Sequence, residues 1–182
     1  MKRAFDFLLT VGALLFCMLA GAAGYHQIEV ANVRNQHILL NYTVKDESIY
    51  VPDEVALVCV KYGEEYGIKP ELLEAIAWRE SRFKKSATNG PCVGIMQINT
   101  NVHKDRIKEL GIEDAYDTDA NVHIAADLIA DLLAENPSIE YMLARYHGES
   151  RPEQVLNGAE PSSYVTKVME VSKYLESEDL LI

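Results

Sequence analysis

Glu80 is the residue whose type and position most directly suggest chemistry. It stands in ELLEAIAWRESRF, residues 71–83, where Leu72, Ile76 and Glu80 follow i, i+4, i+8 spacing on one face of a predicted helix. A carboxyl at the end of an apolar stripe loses solvation of its charged form, so its pKa rises. Such an acid can donate a proton to a leaving-group oxygen. The alternative is an ordinary surface acid paired with a neighbouring arginine.

The stretch GPCVGIMQIN, residues 90–99, could form one wall of a cleft. Gly94 would let a substrate approach the backbone closely, because glycine carries no side chain. Gln97 would offer an amide donor and acceptor, and Met96 a soft contact to the face of a sugar. The alternative is a buried turn or short hairpin in which Met96 fills the core.

A third stretch, LARYHGES, covers residues 143–150 and places Tyr146 near the end of a predicted helix. Tyr146 either lies on the surface or points its phenol back into the same cleft. The sequence leaves both alternatives open, and it assigns no role to His147.

Composition excludes several classes of function. The chain has 28 acidic residues against 17 Lys and Arg, a net charge of −11, and no basic tract. This balance argues against a nucleic-acid partner and favours a substrate held by hydrogen bonds and stacking. Beyond the N-terminal segment, Cys59 and Cys92 are too few for a disulfide framework, and whether they are bridged stays open.

Metal chemistry has little support in the sequence. The five histidines are scattered and form no HExxH motif. Residues 117–121, DTDAN, resemble the start of a calcium loop, but Val122 and Leu128 occupy the positions that require Gly and Glu. We therefore predict no metal and no cofactor.

The N-terminus carries a targeting segment. MKR precedes an apolar run from Phe7 to Leu19, and the small residues AGAAG follow at 20–24. Residues 1–24 are either a secretory signal peptide cleaved near Ala22 or Ala23, or an uncleaved membrane anchor. Both alternatives place the rest of the chain outside the cytoplasm, secreted to the cell envelope or anchored by a transmembrane segment.

The elements that must position these residues are mainly helical. Residues 25–50 form a spacer in which alternation between Ile38 and Val44 predicts one short strand. Periodicity and stop signals then predict helices from Asp53 to about Gly67, Pro70 to about Arg82, Val102 to Leu110, Ile139 to Tyr146, and Ser162 to about Leu175. A further helix is capped by Thr118 or Asp119 and ends at Pro137. We assign residues 51–182 to a single mainly α domain.

Three motifs together resemble a known family. ESRF at 80–83, GIMQIN at 94–99 and ARYHG at 144–148, with YDTDANVHIAADLIADL between the last two, are similar to the SLT-type lytic transglycosylase catalytic domain. The resemblance covers about residues 51–174. It implies a goose-lysozyme-like helical fold and cleavage of the MurNAc–GlcNAc β-1,4 bond in peptidoglycan glycan strands, the implied partner.

The resemblance also implies roles for individual residues. Glu80 matches the catalytic acid, and the substrate-binding positions match Ser81, Gly94, Met96, Gln97 and Tyr146. The chain departs from the family pattern at residues 91–93, where a glycine-alanine pair is usual. It also departs at His147, where asparagine is usual, and this departure weakens any role assigned to that position.

Counting carboxylates leads to a mechanism. Ordinary glycoside hydrolysis uses two, but Asp117 and Asp119 are better interpreted as helix caps. The resemblance implies that Glu80 protonates the glycosidic oxygen and then deprotonates the C6 hydroxyl of MurNAc, which forms 1,6-anhydro-MurNAc. The alternatives are a hydrolytic muramidase and a non-catalytic peptidoglycan-binding module of the envelope.

Overall fold

The computed structural model describes residues 42–44 and 47–179, with side chains from 49 to 177. All of these residues belong to one compact unit that begins at Tyr42. The predicted signal or anchor, residues 1–24, lies outside the described residues, as does most of the predicted spacer, residues 25–50. No helix in the described ranges is long and apolar enough to cross a bilayer.

Helices make up most of the described chain, which confirms the prediction of a mainly α fold. They are α1 (Asp53–Tyr66), α2 (Pro70–Ser81), α3 (Lys104–Glu109), α4 (Thr118–Glu135), α5 (Ile139–Tyr146), a 3-10 helix (Pro152–Asn157) and α6 (Ser163–Asp179). Their order and bounds agree with the helical periods of the sequence, apart from a shorter α3 and the added 3-10 turn.

Five short strands complete the fold. β1 (Tyr42–Val44) pairs antiparallel with β2 (Glu47–Ile49), and Tyr42 lies opposite Ile49. Only this last part of the predicted strand is described, and β2 was not predicted. Ile49 is 1% exposed and packs into the core, so the packed unit extends past the predicted domain start at residue 51.

The other three strands belong to the stretch predicted as a loop or short hairpin. β3 (Thr88–Asn89), β4 (Cys92–Val93) and β5 (Ile98–Asn99) form one small antiparallel sheet, with β4 in the centre. The connection from β4 to β5 contains residues 94–97. This sheet therefore presents the GIMQ segment as the turn between two paired strands.

Two glycines make the tight connection between α1 and α2. Gly67 ends α1 in the left-handed conformation, with φ 67°, as the sequence predicts for a helix stop. Gly63 lies inside the helix, where a Cβ atom would come within 2.6 Å of the Ile68 carbonyl oxygen. The chain can therefore fold α2 back against α1 only because position 63 has no side chain.

Of the residues interpreted as caps of α4, one takes that role. Asp117 is the cap, and its side chain accepts a hydrogen bond from the Ala120 amide at 3.1 Å. Asp119, predicted as a cap, instead accepts hydrogen bonds from Lys61 at 2.8 Å and Tyr62 at 2.5 Å. Asp119 is the second residue of α4 rather than the residue before it, so its side chain contacts α1 instead of capping the helix.

The core places the end of α2 beside the start of α6. α2 packs against both α1 and α6, and α1 also packs against α4. Leu73 and Ile76 on α2 are fully buried, as are Val165 and Val168 on α6. Burial of these apolar faces fixes the two helices relative to each other, so residues at their adjoining ends meet.

Candidate active site around Glu80

Glu80 lies in the last turn of α2 and is partly buried. Its Oε1 atom accepts a hydrogen bond from the phenol of Tyr164 at 2.6 Å. Burial raises the pKa of the Glu80 carboxyl, while the Tyr164 hydrogen bond and the charges of His147 and Arg79 oppose that rise. The net pKa is raised, in the direction that the apolar stripe predicts.

Tyr164 lies in the first turn of α6, and its residue is 2% exposed. Burial and the nearby Glu80 raise the pKa of its phenol, which therefore remains a protonated donor. Tyr164 was not among the site residues predicted from the sequence. The pattern that indicated Glu80 was also present for Tyr164, because its polar hydroxyl lies on the apolar face of a helix. Val168 follows on that face four residues later.

His147 covers the outer face of this contact. Its ring stacks on that of Tyr164, with centroids 3.9 Å apart and planes 5° from parallel. Its Nδ1 atom lies 3.7 Å from Glu149, whose Oε1 atom accepts a hydrogen bond from Ser162 at 2.5 Å. The position that departs from the family pattern therefore contacts the partner of the acid.

Tyr146 points inward, which decides between its two alternatives. Its hydroxyl donates to the Met96 carbonyl oxygen at 2.8 Å. The pKa of its phenol is raised well above the usual value by burial, with smaller contributions from Glu80 and Cys92. Tyr146 thus links α5 to the turn at 94–97 and lies within the electrostatic range of Glu80.

Asn121 on α4 holds the turn at residues 94–97. Its Oδ1 atom accepts from the Met96 amide at 2.7 Å, and its Nδ2 atom donates to Val93 at 3.1 Å and Ala115 at 2.7 Å. Asn121 is fully buried, and it was not among the site residues predicted from the sequence. A polar side chain inside the apolar pattern of α4 was the available signal.

Gly94 is required by this packing rather than by access for a substrate. It has φ 76°, and a Cβ atom there would lie 2.4 Å from the Asn121 side-chain nitrogen. Met96 is 0% exposed, so its side chain fills the core and cannot reach a sugar at the surface. The predicted surface contact of Met96 is thus corrected to the alternative role, core packing.

Gln97 lies on the exposed side of the same turn. It is partly buried, has φ 51°, and its Nε2 atom donates to the Gly94 carbonyl oxygen at 2.8 Å. This internal hydrogen bond fixes the amide plane. Gln97 remains the residue of this turn that could meet a substrate.

Ser81 is oriented toward the interior. It is 8% exposed, and its hydroxyl lies 2.8 Å from the Ile95 carbonyl oxygen and 3.2 Å from that of Ala77. The hydroxyl has one hydrogen, so it donates to backbone and joins the end of α2 to the turn at 94–97. This contact positions Glu80 indirectly and removes Ser81 from the surface where a substrate would bind.

We call Glu80, Tyr164, His147 and Arg79 the acid site. The guanidinium of Arg79 lies 5.3 Å from the centre of the Tyr164 ring. Within the described ranges no group of His, Cys, Asp or Glu could hold a metal ion. The site offers one partly buried carboxyl, a phenol donor and two nitrogen-bearing side chains, an arrangement suited to proton transfer.

Fold and site together define a mainly helical, lysozyme-like domain in which the partly buried Glu80 is the candidate acid. The fold is shared with the lytic transglycosylase Slt of Pseudomonas aeruginosa, solved as an inactive mutant, with a TM-score of 0.57 and 19% sequence identity over 66% of this chain and 24% of that chain. At this identity the likeness concerns the fold alone.

The chain belongs to the Transglycosylase SLT domain family, whose sequence model matches residues 58–159. It is 40% identical to Protein IpgF of Shigella flexneri over 81 residues, 40% of this chain and 53% of that protein. It is 30% identical to a transglycosylase of Enterobacteria phage PRD1 over 106 residues, 58% of this chain and 38% of that protein. The chain thus spans about half the length, or less, of these curated relatives.

Proposed function

We propose that this protein is a peptidoglycan lytic transglycosylase that cleaves the MurNAc–GlcNAc β-1,4 bond and leaves a 1,6-anhydro-MurNAc end. The observation that carries the proposal is the Glu80 carboxyl, whose pKa burial raises and whose Oε1 atom accepts the Tyr164 phenol at 2.6 Å. Membership of the Transglycosylase SLT domain family supports the same activity.

Glu80 serves as both acid and base in the proposed reaction. The protonated carboxyl donates its proton to the glycosidic oxygen as the bond from that oxygen to C1 of MurNAc breaks. The C6 hydroxyl of the same MurNAc then attacks C1 and returns its proton to Glu80. The acid is regenerated, no water is consumed, and the reaction is formally a lyase step.

The surroundings of Glu80 favour this mechanism over one with two carboxylates. Glu149 is the acidic residue that contacts the acid site, but its Oε1 atom accepts from Ser162 at 2.5 Å and lies near His147. No hydrogen bond links Glu149 to Glu80 among the described residues, whereas ordinary glycoside hydrolysis uses a second carboxylate as base or nucleophile. A nucleophile supplied by the substrate removes that requirement.

Tyr164 has a defined part in this cycle. Its phenol donates to the carboxylate formed after the first proton transfer and holds the carboxyl in one rotamer. Gln97 and Tyr146 are proposed to border the bound glycan, whereas Ser81, Gly94 and Met96 support the turn from behind. Substrate contact is assigned to the first pair because the other three are buried.

Localisation follows from the substrate. Peptidoglycan lies outside the cytoplasm, so we propose that the domain acts in the cell envelope. Residues 1–24 would deliver it there, as a cleaved signal or as an anchor. Fractionation of cells that express the full-length chain, with and without these residues, tests this part of the proposal.

The central test is Glu80→Gln with the full-length protein and purified peptidoglycan. Because the amide N–H is far too weak an acid to protonate the glycosidic oxygen, we expect the yield of anhydro-muropeptides to fall by at least about a hundredfold. Glu160→Gln, which removes the same charge at an exposed loop position, should retain activity. Mass spectrometry of the products is the measurement.

The products separate the proposal from its alternatives. Anhydro ends, lighter by one water than reducing ends, support the transglycosylase. Reducing-end muropeptides from the wild-type protein would replace it with a hydrolytic muramidase. Binding of glycan strands without any cleavage would indicate a non-catalytic module.

A further inference from the structure

Arg79 and Lys167 differ from the other cations of the described residues. Three of these cations are partly buried, Arg79, Arg106 and Lys167, and the others are exposed. Arg106 forms ion pairs with Asp127 and Asp131. Within the described part of the chain, Arg79 and Lys167 have no acidic side chain at ion-pair distance.

Both cations rest on aromatic rings instead. The Arg79 guanidinium lies 5.3 Å from the Tyr164 ring centre, and the Lys167 ammonium lies 5.3 Å from the Trp78 ring centre. A cation–π contact holds the side chain in place but uses none of its N–H donors. The two side chains are therefore positioned while their donors remain available.

Their place in the fold is the border of the acid site. Arg79 directly precedes Glu80 on α2, and Lys167 follows Tyr164 by one turn on α6. Since Glu80 and Tyr164 are hydrogen-bonded to each other, the two cations flank the same contact between helices.

The charge balance of the chain makes this local arrangement significant. With 28 acidic residues and 17 Lys and Arg, carboxylates are abundant, yet no carboxylate among the described side chains pairs with these two cations. A protein with a net charge of −11 repels an anionic ligand except where cations dominate locally. Arg79 and Lys167 bring two positive charges to the border of the acid site.

We infer that Arg79 and Lys167 form an anion subsite beside Glu80 that binds a carboxylate carried by the substrate glycan. The inference rests on the proposed function, because the sugar backbone itself is uncharged. Its carboxylates belong either to stem peptides or, where peptides have been removed, to the lactyl group of MurNAc. Both sources present the planar anion that a guanidinium binds through two hydrogen bonds.

Binding of soluble glycan strands to full-length Glu80→Gln tests the subsite without cleavage. Three ligands are compared at low salt: strands with free stem-peptide carboxylates, the same strands after conversion of those groups to amides, and strands stripped by an amidase. We expect amidation to weaken binding about tenfold, the scale of two partly screened ion pairs. Tight binding of stripped strands would identify the lactyl source.

Substitutions in the same background assign the effect to the two cations. Arg79→Gln with Lys167→Gln should weaken binding of carboxylate-bearing strands about tenfold and leave amidated strands unaffected. Lys173→Gln removes an exposed charge from the same helix and should change neither. When Arg79→Lys replaces Arg79→Gln in the double variant, part of the lost affinity for carboxylate-bearing strands should return, because position 79 is again positively charged.

The subsite would be overturned if amidated strands bound as tightly as both carboxylate-bearing ligands, the free and the stripped strands. It would also be overturned if the double variant weakened the binding of amidated strands as much as that of carboxylate-bearing strands. Either result is separate from failure of the proposed function, which would be the absence of anhydro products from the wild-type protein. The binding measurement does not depend on cleavage, so each failure is identified by its own readout.

Discussion

At the scale of single residues, two opposing effects act on the pKa of the Glu80 carboxyl. Burial raises the pKa of Glu80, whereas the Tyr164 phenol favours the charged form. The two effects oppose each other, and burial is the larger. A proposed acid that must also serve as a base benefits from both, since each protonation state has a stabilising neighbour.

Replacement of Tyr164 tests this balance. In Tyr164→Phe the hydrogen bond that favours the Glu80 carboxylate is lost, so the pKa of Glu80 rises further. Activity requires the protonated acid, so the alkaline limb of the kcat/KM profile should move to higher pH. The maximal kcat/KM should fall roughly tenfold, because the carboxylate formed in the reaction loses its donor.

A pH–rate profile of anhydro-product release checks this prediction. Tyr50→Phe, which removes a hydroxyl from a residue 56% exposed, is the matched control and should leave the profile unchanged. A shift of the alkaline limb to lower pH in Tyr164→Phe would contradict the predicted rise in the pKa of Glu80. An unchanged limb would show that Tyr164 does not affect the pKa of the acid.

At the scale of elements, the turn between β4 and β5 depends on a contact with α4. Asn121 satisfies the Met96 amide and two carbonyl groups, and its side chain fills the space beside Gly94. The motif that carries the family resemblance is thus partly a packing unit. Gly94 and Met96 belong to that unit, whereas Gln97 faces outward.

A double-mutant cycle at Gly94 and Asn121 tests this contact. Gly94→Ala adds both left-handed backbone strain and a clash with the Asn121 amide, for a destabilisation of about 2–4 kcal/mol. Asn121→Ala leaves the buried Met96 amide without its acceptor, for a similar cost of about 2–4 kcal/mol. The double variant should be less destabilised than the sum, because Asn121→Ala removes the clash.

Denaturant unfolding of the four proteins measures the cycle. Gly111→Ala is the control for strain alone, because Gly111 has φ 67° but nothing within 4 Å of an added Cβ atom. It should cost about 1 kcal/mol. Strict additivity between the substitutions at positions 94 and 121 would exclude the proposed clash.

At the scale of the whole molecule, the acid site depends on a helix beyond the family match. That match ends at residue 159, whereas Tyr164 lies on α6. α6 also contributes core residues that are at most 7% exposed: Val165, Val168, Val171 and Leu175. The last helix therefore completes both the core and the site.

A chain ended after residue 159 should not fold stably. Loss of the five buried hydrophobic side chains from Tyr164 to Leu175 removes roughly 10 kcal/mol of burial at about 2 kcal/mol each, comparable with the stability of a whole domain. Circular dichroism and denaturant unfolding should show a lost cooperative transition. The exposed substitution Lys173→Gln should retain it, and a truncated chain that unfolds like the wild-type protein would refute the prediction.

The sequence by itself determined the helices and the position of the acid. Both are local: apolar residues at helical spacing fix a face, and Glu80 lies on the same face as Leu72 and Ile76. The direction of its pKa shift followed from that face. The end of α1 at Gly67 was also predicted from the sequence, because the residue that ends a helix in the left-handed conformation is usually glycine.

Only the tertiary structure decided which side chains surround the acid. Tyr164 is 84 residues from Glu80 along the chain, and Tyr146 is 50 residues from Met96. Local periodicity shows which face of a helix is buried but not which face of another helix it meets. The core packing sets those partners, and it therefore decided that Met96 and Ser81 lie inside while His147 covers Tyr164.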